Sequence, residues 1–376
     1  MSDQQNNMKA SPEELDDKME IVTTDRKCPN CGGTLKFDPA TGGLLCSNCG
    51  YSRQLPRPEA GFELEEIDFN SAIDHASTDW GLVTKRVVCK QCGAETVNDE
   101  MQISGCCPFC GSTTVITSGS DEKTIAPHAV IPFRLTKEQA SQKVNEWMSR
   151  KILAPSELRK GVNLKGLTGL YIPYWTFDSQ TTTTYSGKFG HRYGSGDDSY
   201  IKWKKSSGVY SKFIDDKVIC ASRRSVKNPY IIKAAEYYKG DLIPYTPDAL
   251  AGFVAERYSI GLDEAWNVTK ENIKNELRRD IIYNREGAVD VRKFSMSTVY
   301  ENITFKYYLA PVYISSFIYK NRIHNIVVNG RTGKVSGNWA IATWKIVLLI
   351  AIIAGLILGP FMFGVFFSII SAVFRK

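Results

Sequence analysis

The chain has 376 residues, 43% of them hydrophobic, and a formal net charge of +7. That length and content predict two to four domains with real cores and exclude a chain that stays unfolded throughout. The charge is uneven: residues 1–26 carry net −4, residues 27–120 net −4 and residues 121–376 net +15, so the N-terminal third is poorly suited to the phosphates of nucleic acid.

Residues 1–26 are polar, acidic and poor in aromatics, which predicts a disordered tail. Four knuckles follow: Cys28-Pro29-Asn30-Cys31, Cys46-Ser47-Asn48-Cys49, Cys89-Lys90-Gln91-Cys92 and Cys107-Pro108-Phe109-Cys110. Each is followed by a glycine, at Gly32, Gly50, Gly93 and Gly111, and the whole pattern repeats at an offset of 61. Two thiolates two residues apart grip one face of a tetrahedral ion, and a second pair returned by a hairpin closes the other. The spacing predicts two zinc ribbons, with Cys28, Cys31, Cys46, Cys49 and Cys89, Cys92, Cys107, Cys110 as ligands and Zn2+ as the ion, two per chain; iron is the alternative. Four thiolates leave no open position for a water, so the zinc is read as structural rather than catalytic. Closely spaced thiol pairs without a secretory signal suit a reduced compartment better than disulfides. Cys106 adjoins a ligand but breaks the 61-residue register, and Cys220 sits in an apolar stretch and reads as core.

The first ribbon spans 27–54. Residues 55–84 read as a linker with a short helix, in which His75 is a lone surface or packing histidine, and the second ribbon spans 85–116. Residues 121–340 read as a β-rich α+β module. Thr136-Lys137-Glu138-Gln139 is a capping box that starts a helix running to about Lys151. Strands are expected over 169–184, 200–210 and 212–221, then a long helix from Leu262 to Arg285, then strands near 295–299, 303–308 and 312–319. The glycine-rich stretch Gly187–Gly196 lacks the ending of a phosphate loop and reads as a hairpin tip. Ile326-Val327-Val328 before Asn329-Gly330 signals a second hairpin. The aromatic run Tyr171, Tyr174, Trp175, Phe177 reads as sheet core rather than a ligand cage. Two offsets, 112 and about 142, hint at an internal duplication. No GxSxG, HExxH or GxGxxG stands in a suitable context, and the four histidines are scattered. No enzyme is expected.

Residues 346–374 are uncharged and largely apolar. About 20 such residues span a bilayer core, so 344–374 is expected to be a membrane anchor, a single span or else a re-entrant hairpin divided at Gly359-Pro360, with the bulk of the chain cytoplasmic. The basic 121–340 module would then lie against anionic lipid headgroups. Ala351, Gly355 and Gly359 share one helix face and would let the anchor pair with another membrane protein. The expected fold class is multidomain α+β: two tandem ribbons, the α+β module and a C-terminal transmembrane helix.

The segments Cys89–Thr96, Cys107–Gly111, Ile131-Pro132-Phe133, Gly169–Asp178 and Val328–Val335 together resemble the bacterial membrane-anchored zinc-ribbon proteins of the YdjG type. The resemblance covers most of 27–376. It implies association with phage-shock protein A and flotillin-like (SPFH) proteins in an envelope-stress system, and it supplies no catalytic residues. The function expected is a membrane-anchored, non-enzymatic adaptor that recruits protein partners; the alternative is a nucleic-acid-binding zinc-ribbon protein.

Overall fold

The computed structural model describes residues 26–56, 64–71, 84–91, 95–99, 107, 109, 115–118, 125–234 apart from 163 and 165, 239–356 apart from 321, and 358. Most of the acidic tail, the linker helix with His75, and Cys92, Cys106, Cys110 and Gly359-Pro360 lie outside these residues.

The first ribbon is a small sheet of its own. β1 (Leu35–Asp38) pairs antiparallel with β2 (Gly43–Cys46), and β3 (Ser52–Gln54) pairs with the other edge of β2. The Asp38 carboxylate accepts from Ala40 N and Thr41 N at 3.2 Å each, and Gly42 takes φ +69°, so the turn is built from residues suited to it.

The remaining strands form one mixed sheet, 12-stranded among the described residues. β4 (Ile67–Asp68), β5 (Thr84–Cys89), β6 (Glu95–Asp99), β7 (Val115–Ser118) and β8 (Ala129–Val130) come first. Helix α1 (Lys137–Ser149) starts at the Thr136 capping box, where Thr136 Oγ1 accepts from Gln139 N and Gln139 Oε1 from Thr136 N. A short helix α2 (Ser156–Lys160) leads to β9 (Thr168–Tyr193) and β10 (Tyr200–Cys220), a hairpin of 26- and 21-residue strands. After α3 (Arg223–Lys227), α4 (Pro229–Ala234) and the short strands β11 (Ile243–Pro244) and β12 (Val254–Glu256) comes α5 (Leu262–Arg279). It continues as a π-helical turn over Asp280–Arg285, ending where the sequence pattern ends. The 30-residue β13 (Asp290–Tyr319), β14 (Arg322–Asn329) and β15 (Val335–Gly337) complete the sheet.

The antiparallel pair β9–β13 is the axis. β12 runs parallel to β9 beside Leu170–Tyr171, and β10 takes over that edge from Tyr174. β8 runs parallel to β13 beside Tyr308–Leu309, and β14 takes over from Val312. The same arrangement thus recurs from 170 to 308 and from 174 to 312, 138 residues in each case, which replaces the offsets of 112 and about 142.

Near the axis both sheet faces are covered. Tyr171, Trp175, Phe177, Phe305 and Tyr307 lie in one core; Leu170, Ile172, Tyr174 and Tyr308 lie in the other. Trp175 Nε1 donates to Ile260 O at 3.0 Å and Tyr171 Oη to Ala249 O at 3.1 Å, so the buried polar atoms of both rings are satisfied. The aromatic run is core.

The expected string of separate modules is overturned. β6 pairs with β12, Val97 opposite Ala255 and Thr96 opposite Glu256, so the second ribbon region belongs to the large sheet. The first ribbon's Cys28, Leu35, Phe37, Leu44 and Cys46 sit in the same core as Trp175. The transmembrane helix is overturned as well: among the described residues no helix is long and apolar enough to cross a membrane. Of the segment 344–374 expected as the anchor, 344–356 lie in a helix that begins at 343, and beyond them only Leu358 is among the described residues. Membrane anchoring and a cell-membrane location are corrected on that finding.

Candidate metal centre

Chain geometry brings the first four cysteines together. Cys28 N donates to Gly33 O at 2.6 Å and Gly32 N to Cys28 O at 2.8 Å, closing the first knuckle. Gly50 N donates to Cys46 O at 3.0 Å and closes the second. Gly32 and Gly50 adopt φ +71° and +76°, the left-handed turn that glycine permits at least cost. A Cβ at Gly33 would stand 2.7 Å from Asn48 Nδ2 and 3.3 Å from Cys31 Sγ, so the backbone approaches the sulfurs closely only because glycine is there.

Cys28 Sγ lies 3.4 Å from Cys49 Sγ, and Cys31 Sγ 3.5 Å from Cys46 Sγ. All four sulfurs fall within 4.8 Å of one another. These separations exceed a disulfide bond, and four sulfurs about 2.3 Å from a zinc ion stand roughly 3.8 Å apart. The set therefore fits a tetrahedral ion, with Cys28 and Cys46 turned inward and Cys31 and Cys49 exposed. The backbone N–H groups of Cys49 and Asn48 pull the Cys46 thiol down to about 6, while the hydrogen bond with Cys28 pushes Cys49 up to about 12, so metal binding would have to displace protons from the set. Cys28, Cys31, Cys46 and Cys49 would hold the metal, which would cross-link the two knuckles and supply no open coordination position.

The centre is fastened to the large sheet. Phe37 N donates to Ala251 O at 3.0 Å, and the Phe37 ring packs edge-on against Phe253 at 6.3 Å. Arg26 donates to Pro247 O and lies 3.7 Å from Asp248, which also pairs with Arg53 at 2.8 Å.

Of the second set, Cys89 and Cys107 are buried together with Phe109 packed against them, while Cys92 and Cys110 lie outside the described residues. Among the described residues one four-cysteine cluster is complete, not two. Cys220 is core, and burial pushes its thiol up to about 12. His128 is also internal: its Nδ1 accepts from Tyr307 N at 3.1 Å, and burial pushes it down to about 4. His324 stacks on Phe317 at 4.9 Å.

A second constellation escaped sequence reasoning. Glu66, Asp178 and Asp216 bring carboxylate oxygens within 4.8 Å of one another. Lys306, itself buried, donates to Glu66 and, at 3.1 Å, to Asp216. Asp216 N donates to Asp178 Oδ1 at 2.8 Å. Burial, then the hydrogen bond to Glu66, pushes Asp178 up to about 7. Burial opposes ionisation of Glu66 too, but the hydrogen bonds from Asp178, Lys306 and Thr304 hold it below its ordinary range. The Lys306 ammonium already plays the cation's part here, so we read the cluster as an internal ion-pair network. The available signal was one charged residue, Lys306, inside the otherwise apolar and aromatic run Phe305–Leu309.

No family model matches the chain, and no solved structure matches it. It is similar to the uncharacterized protein YdjG of Bacillus subtilis (strain 168), 29% identical over 341 residues, which cover 88% of this chain and 94% of that protein. The likeness thus extends well beyond the ribbons, in keeping with a YdjG-type chain. That relative is described only as uncharacterized, so the phage-shock and SPFH association implied by the resemblance gains no support from it.

Proposed function

We propose that the chain is a non-enzymatic adaptor that holds protein partners on a zinc-stapled β scaffold. The observation that carries this reading is the far half of the β10–β9–β13 sheet. There one face packs on α5, through Tyr300 Oη to Lys270 O at 3.3 Å and Lys212 Nζ to Glu276 at 2.8 Å. The opposite face is open. On it Val209, Phe213 and Val299 are 59%, 56% and 57% exposed. Around them stand Thr182 and Ser211, which share a row with Val299, and Thr184 and Ser297, which share one with Val209. Val209 and Val299 stand among small hydroxyl residues and Phe213 in a row with Gln180 and Glu301, which together make a part-apolar docking surface on a fixed sheet.

The zinc centres serve this scaffold. The reading includes a second ion on Cys89, Cys92, Cys107 and Cys110, supported by the shared burial of Cys89 and Cys107.

A photo-crosslinking residue at Val209 should capture a protein partner of defined mass in cells. Val299→Lys should abolish that capture and leave zinc content unchanged. Absence of a captured protein, or capture indifferent to Val299→Lys, overturns the reading; capture of nucleic acid instead transfers the function to the alternative.

A further inference from the structure

A cavity of about 730 Å³ opens where the end of β12 meets α3 and α4; its lining includes no residue of the first ribbon or of the open sheet face, and Glu95 and Phe109 of the second ribbon region border it. Small-molecule sites run to roughly 300–1,000 Å³. The wall carries Arg223, Arg224, Lys227 and Arg257 against two carboxylates, Glu95 and Glu256. Burial pushes Glu256 up to about 7, which weakens its counter-charge near neutral pH.

The cations stand on a braced frame. The Ser222 and Ser225 hydroxyls donate to the two Glu256 oxygens at 2.6 and 2.8 Å. Ser222 also caps α3, accepting from Ser225 N at 2.9 Å. The helix bearing Arg223, Arg224 and Lys227 is thereby tied to the strand that ends in Glu256. Arg223 Nε donates to Ser259 O at 3.0 Å, and its guanidinium pairs with Glu264. The Arg224 guanidinium lies 4.6 Å from the centre of the Phe109 ring. Lys227 has no hydrogen bond or ion pair among the described residues. Two half-buried tyrosines share the wall, Tyr230 and Tyr258. Tyr258 is wedged against Trp175 at 5.3 Å and Tyr307 at 5.6 Å, so its ring is a fixed surface.

The wall's four cations face two carboxylates, Glu95 and Glu256, so it stays net positive even with both ionised and with Arg223 also paired to Glu264, and arginine forks match phosphate oxygens in pairs. Tyrosine faces accept a planar base without regard to its identity. We propose that this cavity binds a nucleoside 5′-phosphate, with its phosphate on the Arg224, Lys227 and Arg257 cations and its base against the tyrosines.

Calorimetric titration of the full zinc-loaded chain tests this with AMP, ATP and pyrophosphate as probes. AMP and ATP should each saturate one site per chain, and pyrophosphate, lacking the base, should bind more weakly. Lys227→Glu should weaken the nucleotides by about tenfold or more, the loss of one charge-assisted contact, and Lys227→Arg should restore them. Lys227 is exposed, so neither variant disturbs packing, and unchanged zinc content verifies the fold. No saturable binding of AMP or ATP, affinities unmoved by Lys227→Glu, or pyrophosphate binding as tightly as ATP overturns the proposal. So does binding confined to a single-stranded oligonucleotide, which would make the cavity part of a polynucleotide surface.

Discussion

Lys306→Met would remove the ammonium that Glu66 and Asp216 share while keeping a side chain of similar length. Lys306 is 3% exposed and its two partners 25% and 9%. Removing one member of a buried ion pair costs about 3–5 kcal/mol, because the remaining charge is left without compensation. Glu66 retains some water, so we expect about 3 kcal/mol near pH 8. The loss should depend on pH. Asp178 is already pushed up to about 7, so between its unfolded value near 4 and its folded value the native chain holds a proton that the unfolded chain has released. Stability from that group falls as pH rises through this window. Without Lys306 the carboxyl of Glu66 loses a partner that holds it down, shifts upward and steepens the same slope. The variant should therefore lie furthest from the parent near pH 8 and recover much of the difference near pH 5. Urea unfolding of the full chain, followed by tryptophan fluorescence at both pH values, reads the effect. A deficit below about 1 kcal/mol near pH 8, or one that does not change with pH, would refute an ion-paired cluster.

Cys31→Ser alters an exposed side chain, so packing is unchanged; it should remove one zinc per chain by metal analysis and speed proteolysis within 26–56, while β9–β13 stays protected. Gly330→Ala would place a Cβ 2.4 Å from Phe133 Cδ1, in a ring stacked on Phe253 at 4.1 Å. We expect a loss of about 1–3 kcal/mol from overpacking, read by urea midpoint and partly relieved by Phe133→Leu. Trp175→Phe keeps most of the ring but leaves Ile260 O without its donor, and about 1–3 kcal/mol should be lost in the same assay.

The metal centre was legible because its determinants are local: two knuckles, the glycines behind them and a hairpin lie within about 20 residues. Helix limits were legible for the same reason: the Thr136 box marks one start, and the helix expected from Leu262 to Arg285 is α5 with the π-helical turn that follows it. Partnerships between distant segments were not. Lys306 and Glu66 are 240 residues apart, and nothing in a linear pattern pairs them. Strand lengths were hidden because β9 and β13 are buried on both faces near the axis and on one face farther out, so their apolar pattern changes along a single element. The ribbons looked self-contained because a hairpin with four ligands needs no neighbour, yet Phe37 and Leu44 had to be covered, and the large sheet covers them. The apolar run from 346 onward was read on hydropathy alone, and most of it lies outside the described residues.

The recurrence at 138 residues has a consequence during synthesis. β8 belongs to the first half of the chain but lies on β13, in the second half, and β12 of the second half lies on β9 of the first. Each half thus lends its short strand to the other, and neither can close its own edges. A ribosome that has reached α4 has made β8 and the β9–β10 hairpin but neither β12 nor β13, the strands on their other edges. Until residue 312 has emerged, long strand edges stand open to any other extended segment, in this chain or in another. Parallel pairings of such separation form late and slowly. Dependence on chaperones while the chain is being made is therefore expected, and truncation before β13 should give aggregate rather than a smaller folded protein.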